Sequence, residues 1–572
     1  MKTHYALHCR RRLASIAVFC CAGTPWSVSA QVSINVIALT GESTPITDTT
    51  YEVFDFPRIN DAGKISFTAL LTGPSVTEVN DHALFEVSNA AISPFQQTGS
   101  TLPTITPALV DSVGFPSLTN AGRFALLAGL YDDTAGERIG QALLSETPSG
   151  LSLIAREDTT ILPGYAEPIL ALPVPNMNRA GHIAFRASVE DPAIQPVPSG
   201  SGIWTNRTGS LQLIAKHGDV ALGVPAGYVI DHVDIPAQNH LSQIVFRASV
   251  NDPNTAPDDY RHAIYRDMGS GLELVTWAAP SGPNIDRVST EPQIDRNGNV
   301  LFWHHDRAAD PMTDTAIRKF TGPGNITDIV REGDPAPGTS GVFADIRPAF
   351  SMNNFGDVVF VGNIVETPAH PETDSGVWKY SNGALELILR ENDPVPALGP
   401  DVFINSIGNA VVNHTGRVAV VTTLRGAGVE RANATALLAQ DVAGTFHPVV
   451  RTGDSIDVSG SGDLRTVRSF EFDHLSTTTG HGQFSALGSI AMILHFETLN
   501  AQQELEYADA MIVTDVGCPA DFTGDGLLNI FDYIAFGNAY AAGSPSADLT
   551  ADNTLNIFDY IAFGTLFAQG CP

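Results

Sequence analysis

Cysteine, basic residues and long apolar runs are all scarce in this sequence of 572 residues. It holds five cysteines, and 31 Lys and Arg stand against 62 Asp and Glu, so the formal net charge is −31. The shortage of basic side chains argues against a nucleic-acid partner and against adhesion to anionic lipid. Beyond the N-terminus, no segment approaches the roughly 18 consecutive apolar residues of a membrane-spanning helix. We therefore expect neither nucleic-acid binding nor a membrane span in the mature chain.

Residues 1–30 have the three-part pattern of a secretory signal peptide. Lys2 and the arginines at 10–12 precede an apolar stretch at 13–22, which at about ten residues is too short to cross a bilayer. Small residues at 28–30 suit signal cleavage before Gln31. We predict that the protein is secreted or displayed on the cell surface.

Cleavage before Gln31 would leave two cysteines, Cys518 and Cys571, and would take the net charge to −35 because four basic residues are removed. In an exported protein such a pair predicts a disulfide. The two cysteines lie at the edges of residues 518–572, whose motifs differ from those of the preceding chain. We therefore divide the chain into a signal peptide at 1–30, a main body at 31–517 and a tail at 518–572.

The main body is an array of eight repeats. The motif Asn-x-x-Gly-x-x-x-Phe is complete at Asn60, Asn178 and Asn353, and the glycine-equivalent positions are 63, 122, 181, 242, 298, 356, 416 and, weakly, 488. The step is about 60 residues. A proline often precedes the motif, at positions 57, 116, 175, 236, 292 and 348. A second element, as in Gly202-Ile-Trp, recurs with the same period and is followed by a turn and a Leu-x-Leu-Ile segment.

The repeat predicts a mainly β fold with about four short strands per unit. Apolar and polar residues alternate after each glycine, as in a half-buried strand, and Asn and Gly suit the turns. The array begins with a lone Leu-x-Leu-Ile equivalent at 34–39 and ends with a lone Gly-Ile-Trp equivalent at 510–514. A closed ring would reunite this split hairpin and leave no open edge. We predict an eight-bladed β-propeller; tandem sandwiches and open β arrays are the alternatives.

Residues repeated in every unit are expected to maintain the unit. Phe67, Phe185, Phe246, Phe302 and Phe360 are therefore predicted to fill the space between blades. The motif resembles the tandem repeats of exported bacterial proteins of unassigned activity. That resemblance implies architecture rather than chemistry.

The tail contains two near-identical blocks, which start at Asp521 and Asp548. Each block places oxygen-bearing side chains at positions 1, 3, 5, 9 and 12 of a twelve-residue loop, the spacing that wraps Ca²⁺. Gly526 stands at the sharp turn of loop one, and Asn553 takes that place in loop two. Apolar residues after each loop recur at helical spacing, so we predict that the tail consists of two loop–helix units.

The tail is similar to the dockerin module, a duplicated calcium-loop domain that binds a cohesin partner. Its Gly-Cys-Pro ends resemble the variant found in planctomycete-like exported proteins. The resemblance implies two calcium ions with these ligands, where Leu527 and Thr554 would offer main-chain carbonyls: Asp521, Thr523, Asp525, Leu527, Asn529 and Asp532, and Asp548, Thr550, Asp552, Thr554, Asn556 and Asp559. Threonine at position 3 is a weaker ligand than the usual Asp or Asn.

Three further expectations concern the tail. The Cys518–Cys571 disulfide should stabilise so small a module. Loop one should bind calcium more tightly, because Gly526 turns with less strain than Asn553. The partner, cohesin-like or another cell-surface protein, should contact the duplicated helices at Tyr533, Phe536, Tyr560 and Phe563, although core packing is an equal alternative for the two phenylalanines.

No catalytic motif is found in the sequence: it has no nucleophile elbow, phosphate-binding loop, zinc spacing or cysteine nucleophile. The cluster at 303–306, Trp-His-His-Asp, favours a strand over a site, because adjacent residues point to opposite faces. Loop carboxylates at Glu332, Asp334, Asp393 and Asp454 are expected to be solvated turn residues rather than a cation- or sugar-binding ring.

Two classes of function remain. The first is a secreted or surface-bound scaffold or binding protein, with glycan as one candidate ligand, attached through its tail. The second is an extracellular polysaccharide-active enzyme that carries a dockerin. A non-repeated carboxylate pair, or a histidine–carboxylate set, at the centre of the propeller would favour the second. The sequence reveals none, so we favour the first.

Overall fold

The computed structural model describes residues 32–570, apart from short gaps. The predicted signal peptide, Gln31 and Cys571 therefore lie outside the described residues. The gaps are at 89, 103–104, 106–107, 149, 173, 179, 191–198, 255, 279–286, 289–290, 307–309, 311–312, 367–372, 473–481 and 500–504.

Eight antiparallel sheets of at least four strands follow one another along residues 32–516. Blades 1 and 2 comprise β2 (Thr50–Ile59), β3 (Ile65–Thr72), β4 (His82–Ser88) and β5 (Ala91–Gln97), then β6 (Leu109–Leu118), β7 (Phe124–Asp132), β8 (Glu137–Thr147) and β9 (Gly150–Arg156). Blades 3 and 4 comprise β10 (Ile169–Ala171), β11 (Asn176–Met177), β12 (Ile183–Glu190), β13 (Ser199–Thr205) and β14 (Gln212–Lys216), then β15 (Val229–Val233), β16 (Ala237–Gln238), β17 (Ile244–Asp252), β18 (Ala256–Asp267) and β19 (Leu272–Trp277).

The other four blades continue the pattern. Blades 5 and 6 comprise β20 (Arg287–Val288), β21 (Gln293–Ile294), β22 (Val300–His305), β23 (Thr315–Gly322) and β24 (Asn325–Arg331), then β25 (Val342–Met352), β26 (Val358–Val365), β27 (Ser375–Ser381) and β28 (Ala384–Arg390). Blades 7 and 8 comprise β29 (Val402–Val412), β30 (Val418–Gly426), β31 (Thr435–Gln440) and β32 (Phe446–Arg451), then β33 (Ser455–Asp457), β34 (Leu464–Glu471), β35 (Ser489–Leu499) and β36 (Leu505–Val516). The prediction of eight four-stranded repeats is confirmed.

The two ends of the array pair with each other and close the ring. β1 (Val32–Leu39) runs antiparallel to β36, with Ile34 opposite Thr514 and Leu39 opposite Ala510. It completes blade 8 as its outer strand, in the order β1-β36-β35-β34-β33. The split hairpin therefore reunites as predicted, and the molecule is an eight-bladed propeller.

Neighbouring blades meet at the first strand of blades 1 to 7 and at β34 of blade 8. We call these the inner strands, and each carries a bulge or a break. Gln293 in blade 5 donates its side-chain amide to the carbonyl of Phe350 in the first strand of blade 6 at 3.1 Å, so neighbouring first strands meet. The repeated prolines lie at these irregularities; for example, Pro57 and Pro348 fall where the registers of β2 and β25 shift. Proline lacks the N–H that a regular inner strand needs, which explains its confinement to the bulges.

The repeated asparagine links its blade to the next in blades 1, 3, 4, 6 and 7. Asn413 Oδ1 accepts the N–H of Arg417 at 2.9 Å within its own turn, while Nδ2 donates to the Ser485 carbonyl of the next blade at 2.7 Å. The same inter-blade bond joins Asn60 to Thr119, Asn178 to Asn239, Asn239 to Asp295 and Asn353 to Asn413. One amide supplies both an acceptor for the turn and a donor for the neighbour, which an ionised carboxylate does not.

Large aromatic residues fill the interfaces between blades. Phe67, Phe185, Phe246, Phe302 and Phe360 are at most 1% exposed, which confirms their predicted structural role. In the second repeated element, Gly-Ile-Trp, the small residue two positions before the aromatic residue is needed for steric reasons. A Cβ at Gly376 would lie 2.8 Å from the Trp378 ring, whose Nε1 donates to the Pro337 carbonyl at 3.1 Å. Ala83 is tolerated in blade 1 because Phe85 there is smaller than tryptophan.

The tail folds as two helices on a small core of its own. α1 (Ile530–Ala541) and α2 (Ile557–Gln569) each follow one Asp-rich loop, as the repeat predicts. Phe536 and Phe563 stack with ring centroids 4.4 Å apart, and Phe522 packs against both. Val442 and Leu487 of the propeller pack against this core. Within the described ranges, no helix is both long and apolar enough to cross a membrane.

Candidate functional site

The first Asp-rich loop brings side-chain oxygens from positions 1, 3 and 12 together. Thr523 Oγ1 lies 3.2 Å from Asp521 Oδ1 and 2.9 Å from Asp532 Oδ1. Asp521 also accepts the N–H groups of Gly524 and Gly526 at 2.8 and 2.7 Å, which bends the loop around its carboxylate. Asp532 is fully buried, and its two carboxylate oxygens accept the N–H groups of Thr523 and Asn529 at 3.0 and 2.8 Å.

The second loop repeats this geometry. Thr550 Oγ1 lies 3.4 Å from Asp548 Oδ1 and 2.9 Å from Asp559 Oδ1. Asn553 adopts the left-handed conformation at φ 66°, as Gly526 does at φ 78° in loop one. The hard oxygen donors fit a hard cation such as Ca²⁺.

The remaining predicted ligands form hydrogen bonds within the tail itself, at the helix caps or in their own loops. Asn529 Oδ1 accepts the N–H of Phe531 at 2.8 Å, and its Nδ2 donates to the Leu527 carbonyl at 3.0 Å. Asn556 and the Thr554 carbonyl repeat this pattern at 2.8 and 2.9 Å. Asp525 and Asp552 accept main-chain N–H groups of their own loops. Among the described residues, no group of three or more His, Cys, Asp or Glu side chains is placed to hold a metal ion, so the calcium ions and their full ligand sets remain a prediction.

The tail presents a duplicated apolar surface to solvent. Equivalent residues of α1 and α2 are between 52% and 65% exposed: Ile530, Phe531 and Ile534, and Ile557, Phe558 and Ile561. Phe536 and Phe563, named as partner candidates from the sequence, are instead fully buried between the helices. Tyr533 and Tyr560 are each 40% exposed and lie edge-on to those two rings. We call the six exposed residues the apolar face of the tail.

A histidine–carboxylate set lies where blade 8 meets blade 1. His495 on β35 contacts Asp509 Oδ1 through Nδ1 at 2.7 Å and Glu471 Oε1 through Nε2 at 3.3 Å. The carboxylates Asp509 and Glu471 raise the pKa of His495 to about 9. Asp55 on β2 has a raised pKa because it is partly surrounded by protein and faces the charges of Glu471 and Asp509. We call Asp55, Glu471, His495 and Asp509 the seam cluster.

Two members of the seam cluster share one position of the repeat. Asp55 and Glu471 pair with Thr68 and Ile493, and Asp234 of blade 4 lies in the same register beside Arg247, whereas blade 2 has Gly114 opposite Leu127. The sequence holds no local signal for the cluster, because its four members come from strands at the two ends of the array.

A cleft of about 740 Å³ opens between blades 7 and 8, on the inner strand that also carries Glu471. Val421, Phe470 and Phe472 give it apolar walls. Arg468 and Glu497, which form an ion pair at 3.6 Å, lie at its side. Apolar walls with a few polar groups are typical of small-molecule sites.

The other sequence candidates have structural explanations. Asp334, Asp393 and Asp454 each accept the main-chain N–H of the residue three positions earlier, at 2.9, 2.7 and 2.7 Å, so they hold turns. Glu332 is not solvated as predicted: it is buried, and it accepts a hydrogen bond from Thr315 Oγ1 at 3.0 Å.

The histidine pair of blade 5 divides between the two faces of its strand, as the strand period predicts. His304 is buried, and burial lowers its pKa to about 4. His305 contacts Asp314 at 3.1 Å. The two rings therefore do not form one site.

The fold and the tail together define an eight-bladed β-propeller with a C-terminal pair of loop–helix units. The chain belongs to a family of unknown function, DUF7453, whose model matches residues 22–197, 177–317 and 278–497. The tail lies beyond these matches. A comparison with curated proteins finds no match.

Among solved structures, the chain is similar to other propellers at low identity. The β-propeller domain of the Trilobed protease from Pyrococcus furiosus is 11% identical, with 70% of this chain and 94% of that chain covered and a TM-score of 0.33. The α-L-arabinofuranosidase Arb93A from Fusarium graminearum is 11% identical, with 59% and 91% covered and a TM-score of 0.25.

The acylaminoacyl peptidase of Pyrococcus horikoshii is 11% identical, with 78% of this chain covered and a TM-score of 0.34. This chain spans 58% of that enzyme's length. Similarities at this level assign no activity.

Proposed function

We propose that this protein is exported and acts as a scaffold or binding protein, in which the propeller recognises a ligand and the tail attaches it to a partner in a calcium-dependent way. The observation that carries the proposal is the duplicated loop, in which two aspartates and a threonine hydroxyl converge in the same geometry twice. Asp532 and Asp559 are fully buried at the ends of these loops. A bound Ca²⁺ in each loop would neutralise the convergent carboxylates and stabilise the folded tail by mass action.

Calorimetric titration of the mature chain with Ca²⁺ tests this proposal. We expect two ions per chain. Asp525→Asn combined with Asp552→Asn should weaken binding strongly, because each change removes a ligand charge at a position that is not buried in the tail core. Asp133→Asn, in an exposed turn of blade 2, is the matched control. A stoichiometry of zero, or equal binding by the double variant and the control, would exclude calcium binding.

The partner of the tail is proposed to be a cohesin-like or other cell-surface protein that covers the apolar face. The tail exposes six large apolar side chains in two equivalent groups. Soluble proteins rarely expose such a contiguous apolar patch unless another surface covers it. Export itself is tested by sequencing the N-terminus of the protein recovered outside the cell. That sequence should begin at Gln31.

The second candidate function is a polysaccharide-active enzyme, and the seam cluster is the observation that favours it. Asp55, with a raised pKa, and the exposed Glu471 are neighbouring carboxylates on the inner strands of blades 1 and 8, and glycoside hydrolysis requires such a pair for its acid and base roles. The cleft beside Glu471 offers room for a sugar.

A panel of polysaccharides and arylglycosides incubated with the mature chain separates the two functions. The scaffold proposal expects no product. Product release that Glu471→Gln abolishes, and that Glu137→Gln at an exposed position of β8 leaves intact, would establish the enzyme instead.

A further inference from the structure

The tail rests on the face of the propeller that carries the Asn-x-x-Gly turns. His414, in the turn of blade 7, is hydrogen-bonded through Nε2 to Asp548 Oδ2 at 2.9 Å. Arg296, in the turn of blade 5, donates Nη1 to the carbonyl of Asn553 at 2.9 Å. Both acceptors belong to the second calcium loop, at its positions 1 and 6.

Three successive Asn-x-x-Gly turns form this contact through residues at the x positions, which differ between repeats. The Arg296 guanidinium lies 3.9 Å from the ring centroid of Phe355, in the turn of blade 6. Phe355 in turn meets His414 edge to face at 5.2 Å. Phe355 packs between the two donors, so Arg296 and His414 each lie against its ring, which limits their alternative rotamers. We call Arg296, Phe355 and His414 the docking stack.

The two calcium loops differ in how they meet the propeller. Asp548 is fully buried and Asn553 is 6% exposed, so the tip of loop two is covered. In loop one, a Cβ added at Gly526 would meet no atom within 4 Å, so that tip is open. Asp521 accepts N–H groups of its own loop, whereas Asp548 also accepts the ring N–H of His414.

We propose that the propeller is part of the second calcium site, so that docking tightens calcium binding by loop two and calcium holds the tail on the propeller. This inference rests on the proposed calcium-binding function. His414 orients the position-1 carboxylate through the oxygen that faces away from Thr550. Such outer hydrogen bonds typically change metal affinity by about 10- to 100-fold. By linkage, calcium strengthens docking by the same factor as docking strengthens calcium binding.

The docking stack reverses the order of affinity expected from the sequence. Asn553 costs more strain than Gly526 in the left-handed conformation. However, Arg296 holds the Asn553 carbonyl in place and the propeller covers the Asn553 side chain. In the full chain, the strain of Asn553 is therefore offset when the tail folds against the propeller, before calcium binds. Loop two should therefore be the tighter site in the full chain. The apolar face of the tail stays exposed in the docked position, so docking and partner binding use different surfaces.

The test is a calcium titration of the mature chain with one loop silenced at a time. Asp525→Asn weakens loop one and leaves loop two to report, and Asp552→Asn does the converse. In the Asp525→Asn chain, His414→Ala should raise the calcium Kd by about 10- to 100-fold. In the Asp552→Asn chain, His414→Ala should leave the Kd unchanged. Leu241→Ala, an exposed residue at the equivalent turn of blade 4, is the control in both.

Two further variants keep the test decisive. Arg296→Ala should act in the same direction through Asn553, and His414→Gln, which keeps an N–H donor, should retain part of the affinity. Limited proteolysis of the wild-type chain should release the tail faster after calcium is chelated. Equal Kd values for His414→Ala and wild type in the Asp525→Asn chain would overturn the inference and leave the calcium function intact. Absence of calcium binding by the wild-type chain would overturn the calcium function itself.

Discussion

Asp61 Oδ1 accepts the main-chain N–H of Ala486 at 2.7 Å, although the two residues are 425 positions apart in the chain. Asp61 lies in the Asn-x-x-Gly turn of blade 1 and Ala486 in the corresponding turn of blade 8. Its other carboxylate oxygen accepts Nδ2 of Asn120, from blade 2, at 2.6 Å. One side chain therefore joins three blades across the point where the ring closes.

Asp61→Ala should lower the free energy of unfolding by about 1–3 kcal/mol, because a partly buried N–H and an amide each lose their acceptor. Denaturant unfolding of the mature chain measures the loss. Asp133→Ala, an exposed acid in a turn of blade 2, should change the stability by less than about 0.5 kcal/mol. Equal losses in the two variants would show that the closing contact contributes nothing of its own.

The inter-blade amide bond of Asn413 can be removed without changing the turn. Asn413→Asp keeps the acceptor for Arg417 and loses the donor to the Ser485 carbonyl, and Asp295 already occupies the equivalent position in blade 5. We expect a loss of about 1–3 kcal/mol in denaturant unfolding. Asn382→Asp, in an exposed hairpin turn at φ 50°, is the control for the chemical change alone. A loss no greater than that of the control would contradict the linking role.

Gly376 and Trp378 should be energetically coupled. Gly376→Ala places a methyl group against the indole ring and should cost about 1–3 kcal/mol. Trp378→Phe relieves that clash, as the Ala83 and Phe85 pair of blade 1 does naturally. A double-mutant cycle in denaturant should therefore give a double variant less destabilised than the sum of the single ones. Additive losses would mean that the glycine is required for another reason.

His495 should stabilise the fold in a pH-dependent way. Asp509 and Glu471 raise its pKa in the folded protein to about 9, above the ordinary value of 6.5. The folded state therefore holds a proton that the unfolded state releases, so the contribution is complete below pH 6.5 and fades as the pH rises through about 9. The stability difference between wild type and His495→Gln should be larger at pH 6 than at pH 9.5 in unfolding at constant ionic strength. A difference independent of pH would mean that the ion pairs do not form.

The propeller could be predicted from the amino-acid sequence alone. Strand alternation, turn residues and a regular period of repeats are local properties, and the split hairpin at positions 34–39 and 510–514 implies closure by chain connectivity alone. The duplicated loops and helices of the tail could also be predicted, because metal-loop spacing and helical periodicity are both local patterns.

Only the three-dimensional structure shows which of the residues that differ between repeats are in contact. Arg296, Phe355 and His414 occupy the unconserved positions of three repeats, and they become neighbours only because a propeller brings equivalent turns to one face. Glu471, His495 and Asp509 meet Asp55 only because the ring joins the last blade to the first. The burial of Phe536 and Phe563 was also undecided until the two helices packed. In each case the residues are distant in sequence, and closure or packing supplies the contact that no local pattern encodes.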